Sequence, residues 1–309
     1  MFGEMEKKNK IFAVVISFNP DIHLLNAEYF SICNQVDGIF YIDNNSKNKS
    51  DILQWSKDKP KANFEWLNSN EGIGFAQNIG IRKALKEKAS HVIIFDQDSI
   101  VDDSFVSSLL FTEQEAIRDG YNVGLTGPIY YSSDGNYPYP VLKIENDKIW
   151  RIPLDSFDNY IQTTHIIASG ELIRTEVLQN VGLMRENLFI GYIDFEYCFR
   201  ARKFGYDIVV SKKAVMRHQM GDKQIDILGR KIGIYSPFRR YFDCRNTLLI
   251  QNDSIFPKVL RRYYLKLLCG KILVSLIYGP HRFQQLRYCL RGLIDGINGI
   301  SGKCSIVSK

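Results

Sequence analysis

Through the first hundred residues, apolar runs alternate with stretches of helical period. Ile11–Phe18 is almost continuously apolar and stops at Asn19-Pro20. Leu24, Leu25, Tyr29, Ile32 and Cys33 then repeat at helical spacing, and a second apolar run covers Gly38–Ile42. Phe75–Lys88 returns to the helical period before His91–Phe95 becomes apolar again. Such runs, separated by helices of this length, predict parallel strands in right-handed βαβ units, an α/β sheet with helices on both faces. Ligands of these sheets sit beyond the carboxyl ends of the strands. Polar clusters fall at three such ends: Ser17-Phe-Asn19-Pro20, Asp43-Asn44-Asn-Ser46 and Asp96-Gln-Asp98-Ser99.

Beyond about residue 120 the pattern is less regular. Residues 130–140, rich in Tyr, Pro, Ser and Gly, read as turns or a mobile flap. Thr163–Gly170 leads into an expected helix over Glu171–Asn180, closed near Gly182. A further helix opens at Asp194 and ends near Gly205, and Tyr206–Val210 is strand-like. From Phe256 to Gly299 apolar residues and Lys or Arg repeat at helical spacing, predicting two amphipathic helices split near Gly279-Pro280. The expected organisation is a catalytic domain over 1–250 and a basic helical extension over 251–309.

Composition narrows the choices. With 309 residues, 45% of them apolar, the chain has material for a large core. Six scattered cysteines without a C-x-x-C pair favour reduced thiols in the cytoplasm. The charged Met1–Lys10 segment leads into a strand rather than a signal peptide. Net charge is +6, but residues 255–309 hold ten Lys and Arg against one acid, Asp295, leaving −3 for the preceding 254. That basic tail fits the interface of an anionic membrane, or else a catalytic domain or partner subunit in a homodimer. Its longest apolar part, Ile272–Tyr278, is too short to span a bilayer. Its aromatics read as core-facing rather than as stacking platforms, which argues against nucleic acid.

Five constellations carry candidate chemistry. Asp96 and Asp98, one residue apart at a strand end, suit a hard divalent cation that keeps positions for substrate phosphates. They also suit an ordinary capped turn. Asn70-Glu-Gly72-Ile-Gly74-Phe-Ala-Gln-Asn78-Ile-Gly80 fails the dinucleotide fingerprint, which requires glycine at Gln77, and reads as a loop of close backbone approach. Asp194, with Glu196 and Arg200, is either a helix cap beside an i,i+4 ion pair or a general base kept ionised at a helix start. His218 is a lone histidine, and Arg245 with its neighbours either meets phosphate through forked hydrogen bonds or lines a solvated helix face.

In this order the motifs resemble glycosyltransferase family 2, nucleotide-sugar-dependent enzymes of the GT-A fold, over about residues 10–250. The resemblance rests on Ser17-Phe-Asn19-Pro20, Asp43-Asn44, Asn70…Gly74…Asn78-Ile-Gly80, Asp96-Gln-Asp98, Ser169-Gly170, Asp194-Phe-Glu196 with Arg200, His218 and Arg245-Asn246. Phe95-Asp-Gln-Asp-Ser99 and Ile193–Arg200 are similar to the bacterial rhamnosyltransferases that use dTDP-L-rhamnose in surface polysaccharide synthesis. The resemblance implies an inverting transfer to a lipid-linked glycan. Asp96 and Asp98 would hold Mg²⁺ or Mn²⁺ with support from His218. Asn19, Asp43, Asn44, Asn70, Gly74, Asn78, Asp96, Ser169 and Arg245 would contact the donor, and Asp194 would be the base. Competing readings are a family 2 enzyme using a UDP-hexose, a nucleotidyltransferase, and a non-enzymatic basic binding protein.

Overall fold

The computed structural model describes residues 9–132, 137–218, 223–227, 230–278 and 281–304. The first strands appear where the apolar runs fall: β1 (Ile11–Ser17), β2 (Gly38–Asp43), β3 (Ala62–Trp66) and β4 (His91–Asp96). Between them lie α1 (Ile22–Ile32), α2 (Lys49–Ser56) and α3 (Ile73–Lys86). Next come α4 (Phe105–Arg118), β5 (Val123–Ser132), the hairpin β6 (Val141–Glu145) and β7 (Lys148–Ile152), and β8 (Tyr160–Thr163). The chain continues through β9 (Glu171–Arg174), α5 (Thr175–Val181), α6 (Ile193–Lys203) and β10 (Asp207–His218). A second hairpin, β11 (Lys223–Ile227) with β12 (Arg230–Ile234), precedes α7 (Pro237–Leu249), α8 (Lys258–Tyr278) and α9 (Arg282–Ile297).

Eight strands form one sheet in the order β3-β2-β1-β4-β9-β5-β10-β8. The β3-β2-β1-β4 half is parallel, β9 is antiparallel to both β4 and β5, and β10 runs parallel to β5. Register aligns the polar strand ends: Ser17 lies opposite Asp43, Ile16 opposite Asp96, and Asp43 opposite Trp66. The carboxyl edge of this half therefore presents its polar residues in one row.

Alternate residues of each strand feed two cores, as the two-residue period of a strand dictates. Phe12, Val14 and Ile94 pack on one face with α3, α5 and α6, and Ala13, Val15 and Phe95 on the other with α1, α2 and α4. Each fully buried Leu, Ile or Phe contributes on the order of 1.5–3 kcal/mol. Asp21 fixes the start of α1 by accepting from His23 and Leu24 N–H.

Three expectations change. Glu171–Arg174 is strand β9, not the first turn of a helix, because Leu172 and Ile173 are drawn into the sheet between β4 and β5; the helix begins at Thr175. Residues expected to be irregular extend β5 through Ser132, and Tyr131 pairs with Pro138 on the returning chain. The α8 and α9 helices form as expected, but α9 buries its small and polar face. Gln285, Cys289, Gly292 and Gly296 are covered, whereas Leu286, Leu290, Ile294 and Ile297 point outward and Phe283 is 91% exposed. The reason lies at the glycines: an added Cβ on Gly292 would come within 2.4 Å of the Tyr241 carbonyl, so α7 and α9 touch through backbone. No described helix is long and apolar enough to cross a membrane.

Candidate active site

The row of strand ends builds the first wall. Asp43 at the end of β2 is buried and accepts from Ser17 Oγ (3.1 Å), Ser46 N–H (2.8 Å) and Ser46 Oγ (2.5 Å). Ser46 Oγ in turn accepts from Asn19 N–H at 2.7 Å, and Asn19 Oδ1 accepts from Lys47 N–H at 2.8 Å. One step further, Asn44 Oδ1 accepts from Glu71 N–H (2.9 Å), and Asn70 Oδ1 accepts from Gly72 N–H (3.0 Å). Asn19, Asp43, Asn44 and Asn70 thus form one interlocked polar rim, ordered by backbone donors rather than by long flexible side chains. Lys303, sixty residues beyond α7's Asp243, closes on it by donating to Ser69 Oγ (3.1 Å) and to Glu71 Oε1.

Asp96 and Asp98 occupy the middle of the edge, in the turn that ends β4. Phe18 N–H donates to Gln97 Oε1 at 2.7 Å, tying that turn to β1. On the other side Ser99 Oγ meets Ser169 Oγ at 2.7 Å, and Gly170 N–H donates to Ile94 O at 2.7 Å. Ser169 is buried and fixes the acidic turn against the start of β9. Its carbonyl accepts from Tyr130 OH at 2.8 Å.

Asp194 completes the centre. It sits in the first turn of α6, half-buried, with Oδ1 accepting from Phe195 N–H at 2.9 Å. Burial pushes its carboxyl up to about 6, and the charge of Asp96 adds to that push. Backbone N–H groups of Phe195 and Ala168 work in the opposite direction. Burial also raises the Tyr130 hydroxyl well above its ordinary range, with Glu171, Asp194 and Asp96 adding to it. Asp96, Tyr130 and Asp194 therefore feel one another across a common centre. A carboxylate poised near 6 is able to take a proton at neutral pH.

The segment leading to Asp194 is bent hard and held from behind. Phe189 and Tyr192, neither of them glycine, have φ of 66° and 64°, and Gly191 lies between them at 79°. Such conformations persist only where surroundings enforce them. Asn246 Nδ2 donates to the Leu188 and Ile190 carbonyls, both at 2.8 Å. Arg245, fully buried, donates to Leu188 O at 3.0 Å and to the carbonyl of Gly302. From the other side, Asn78 Nδ2 donates to Met184 O and Glu186 Oε1, and Gly74 lies close enough that a Cβ would come within 3.0 Å of the Arg185 carbonyl.

Most of the residues singled out in the sequence thus meet at one edge, and three do not face it. Asn78 and Arg245 grip the 184–190 segment and the C-terminal residues through their hydrogen-bonding atoms, and Gly74 packs close against the Arg185 carbonyl. His218 ends β10 opposite Ser132, and its side chain lies outside the described residues. Glu196 and Arg200 form the expected i,i+4 pair at 2.9 Å, and Arg200 also donates to the Val181 and Leu183 carbonyls. Tyr130 and Lys303 are not legible as site residues from the sequence, because their positions depend on strand order and on the returning C-terminus.

The donor set fits a divalent ion shared with substrate. No group of three or more His, Cys, Asp or Glu that would hold a metal is gathered among the described residues. Two carboxylates at a strand end suit Mg²⁺, which takes its remaining ligands from water and phosphate oxygens.

Comparison with known proteins identifies the family and the fold. The model of glycosyl transferase family 2 matches residues 13–182. The chain is 30% identical over 297 residues to the dTDP-rhamnosyl transferase RfbF of Shigella flexneri, covering 95% of this chain and 97% of that one. It is 22% identical to the low-salt glycan biosynthesis hexosyltransferase Agl10 of Haloferax volcanii, over 94% and 92% of the two chains. Among solved structures, GalNAc-T7 with UDP, GalNAc and Mn²⁺ superposes with a TM-score of 0.56 at 15% identity, over 89% of this chain and 59% of that one. Residues 1–349 of Staphylococcus aureus TarS give 0.52 at 15% identity, over 93% and 81%. Those likenesses place the chain among GT-A folds. With the family model over more than half its length and a full-length relative at this identity, the protein is a glycosyltransferase of family 2.

Proposed function

We propose that the enzyme transfers L-rhamnose from dTDP-L-rhamnose to a hydroxyl of a lipid-linked glycan, with inversion at the anomeric carbon, on the cytoplasmic side of a bacterial membrane. The observation that supports this is the place of Asp194 at the head of α6, where burial raises its carboxyl to about 6 and the charge of Asp96 adds to that push. In this reading Asp194 takes the proton of the acceptor hydroxyl, so the hydroxyl oxygen attacks from the face opposite the departing diphosphate in a single step. No covalent enzyme intermediate is needed. Asn19, Asp43, Asn44 and Asn70 form the rim on the β1–β2 half of the edge and receive the nucleoside. Ser169 and Tyr130 hold the acidic turn against the 167–169 segment, whose Ala168 N–H reaches Asp194.

Asp96 and Asp98 would hold Mg²⁺ or Mn²⁺ against the diphosphate. The ion supplies positive charge that offsets what builds on the leaving group. The choice of donor is supported by the likeness to RfbF over nearly the whole of both chains. The outward apolar face of α9, with exposed Arg282 and Arg287 on the same helix, supports docking on an anionic membrane surface, where a lipid-linked acceptor resides.

Thermal unfolding in the presence of Mn²⁺ and a panel of dTDP-, UDP- and GDP-sugars tests the donor. A ligand that binds only the folded state raises the midpoint by mass action. dTDP-L-rhamnose is expected to raise it most. A larger shift with a UDP-hexose would replace rhamnose by that sugar.

A further inference from the structure

Three stretches distant in the chain close into a ring at the polar rim. Residues 69–73 meet residues 187–190 directly, through the Ile73 N–H that donates to the Phe189 carbonyl at 2.7 Å. Residues 302–303 form the third side. Gly302 N–H donates to the Asn187 carbonyl at 2.6 Å, and the Gly302 carbonyl accepts from Arg245. Lys303 Nζ then donates to Ser69 Oγ at 3.1 Å and to Glu71 Oε1. Ser69 Oγ donates to the same carboxylate oxygen. These two donors hold the Glu71 carboxyl below its ordinary value of 4.5, which leaves it charged at neutral pH.

Glu71 is where this ring meets the rim. Its N–H donates to Asn44 Oδ1 at 2.9 Å, and its two neighbours are joined by the bond from Gly72 N–H to Asn70 Oδ1 at 3.0 Å. Holding the Glu71 side chain therefore steadies both carboxamides beside it. As a contribution to folding the tie is small, because the Lys303 and Glu71 side chains are 51% and 30% exposed and ion pairs in water are weak. Its placement gives it a use. The 69–71 turn lies between β3 and α3 with no ladder of its own, and a turn that must be ordered on binding costs affinity. We propose that Lys303 is a positioning residue for the donor: reaching back from beyond α9, it holds Glu71, and with it Asn44 and Asn70, in the arrangement that receives the nucleoside. This rests on the reading of that rim as the nucleoside site.

The test measures binding without transfer. dTDP, UDP and GDP, each with Mn²⁺, are titrated calorimetrically into the full chain, and the tightest of them into its variants. Lys303→Met and Glu71→Gln should each weaken binding about fivefold. The double variant should bind no worse than either single one, and Lys303→Arg, which can still donate to both oxygens, should bind like the parent. The melting temperature of the unliganded chain should not move in any of the four, which separates an ordered rim from a damaged fold. Asn70→Ala reports on the rim itself and should weaken binding whatever Lys303 does. Parent-like affinity of Lys303→Met beside a weakened Asn70→Ala overturns the tie alone. Parent-like affinity of both, or no binding of any of the three nucleotides, overturns the nucleoside rim and the tie with it. Single losses that multiply in the double variant, or that come with a lowered melting temperature, also overturn the positioning role.

Discussion

Asn78 grips Met184 from both sides: its Nδ2 donates to the Met184 carbonyl at 2.9 Å, and its Oδ1 accepts from the Met184 N–H at 2.8 Å. A carboxamide used in this way acts as a piece of sheet, joining α3 to the segment that delivers Asp194. Asn78 is almost fully buried, so Asn78→Ala strands a backbone donor and acceptor with no water to replace it. A loss of about 2–4 kcal/mol is expected. Urea denaturation should show a lower midpoint with an unchanged slope. A variant as stable as the parent would show that Met184 finds other partners.

Asp194 makes turnover depend on pH. The base works only when ionised, so kcat/KM should rise as pH climbs through about 6 and level off above it. Asp194→Asn should remove that limb and lower turnover by about 10²–10⁴-fold, while dTDP binding persists. Stability gives a second readout with its own sign. The folded pKa lies above the ordinary value of 3.8, so the favourable contribution is complete below 3.8 and is lost as pH rises towards 6. Asp194→Asn escapes that loss, and its melting temperature should exceed the parent's at pH 8 but match it near pH 4.

Arg245 tests how far the C-terminus supports the centre. Its guanidinium spans the Leu188 and Gly302 carbonyls and lies over the Phe242 ring at 4.7 Å. Arg245→Lys keeps the charge but cannot fork between two carbonyls, so it should fail to rescue what Arg245→Met loses. Both variants are expected to cost about 2–4 kcal/mol. Limited proteolysis should then release residues near Gly302 before the sheet is cut.

The strand ends were legible in the sequence, and for a physical reason. A parallel strand buried on both faces must be apolar throughout, so the first polar residues after Phe18, Ile42 and Phe95 mark the edge without any knowledge of partners. What was not legible depends on residues distant in the chain. β9 is a strand only because β4 and β5 flank it, although Glu171–Arg174 opens what otherwise reads as a helix. Arg245 carries the same fork whether it meets phosphate or the carbonyl of Leu188, and spacing cannot choose between them. The glycines of the Asn70–Gly80 loop do allow close approach, but Gly72 and Gly74 make it to Phe189 and Arg185 of the same chain.

Gly72 gives a direct check on that approach. Its φ is +90°, and an added Cβ would lie 2.6 Å from the Phe189 carbonyl, the acceptor of the Ile73 N–H. Gly72→Ala therefore meets both backbone strain and a clash with main chain that cannot rotate away. About 2–4 kcal/mol of lost stability is expected, with transfer falling further than stability because Phe189 leads into Asp194. Thermal unfolding and initial rates measured on the same preparation would separate the two. Equal proportional losses would mean that the 184–190 segment does not orient the base.

The outward face of α9 sets the last test. Leu290 and Ile294 are half exposed and lie one turn apart, with Arg287 and Arg291 beside them on the helix. Against an anionic bilayer the apolar pair would bury and the cations would stay at the headgroups, each worth about 1 kcal/mol at the surface. The chain should sediment with phosphatidylglycerol vesicles and not with phosphatidylcholine, and rising salt should weaken the attachment as screening shortens the reach of the cations. Leu290→Glu with Ile294→Glu should abolish sedimentation while leaving transfer to a water-soluble acceptor intact, because the pair lies on the side of α9 turned away from α7. If vesicles fail to bind and the same double substitution instead splits a dimer on gel filtration, the face is an interface between two copies of this chain.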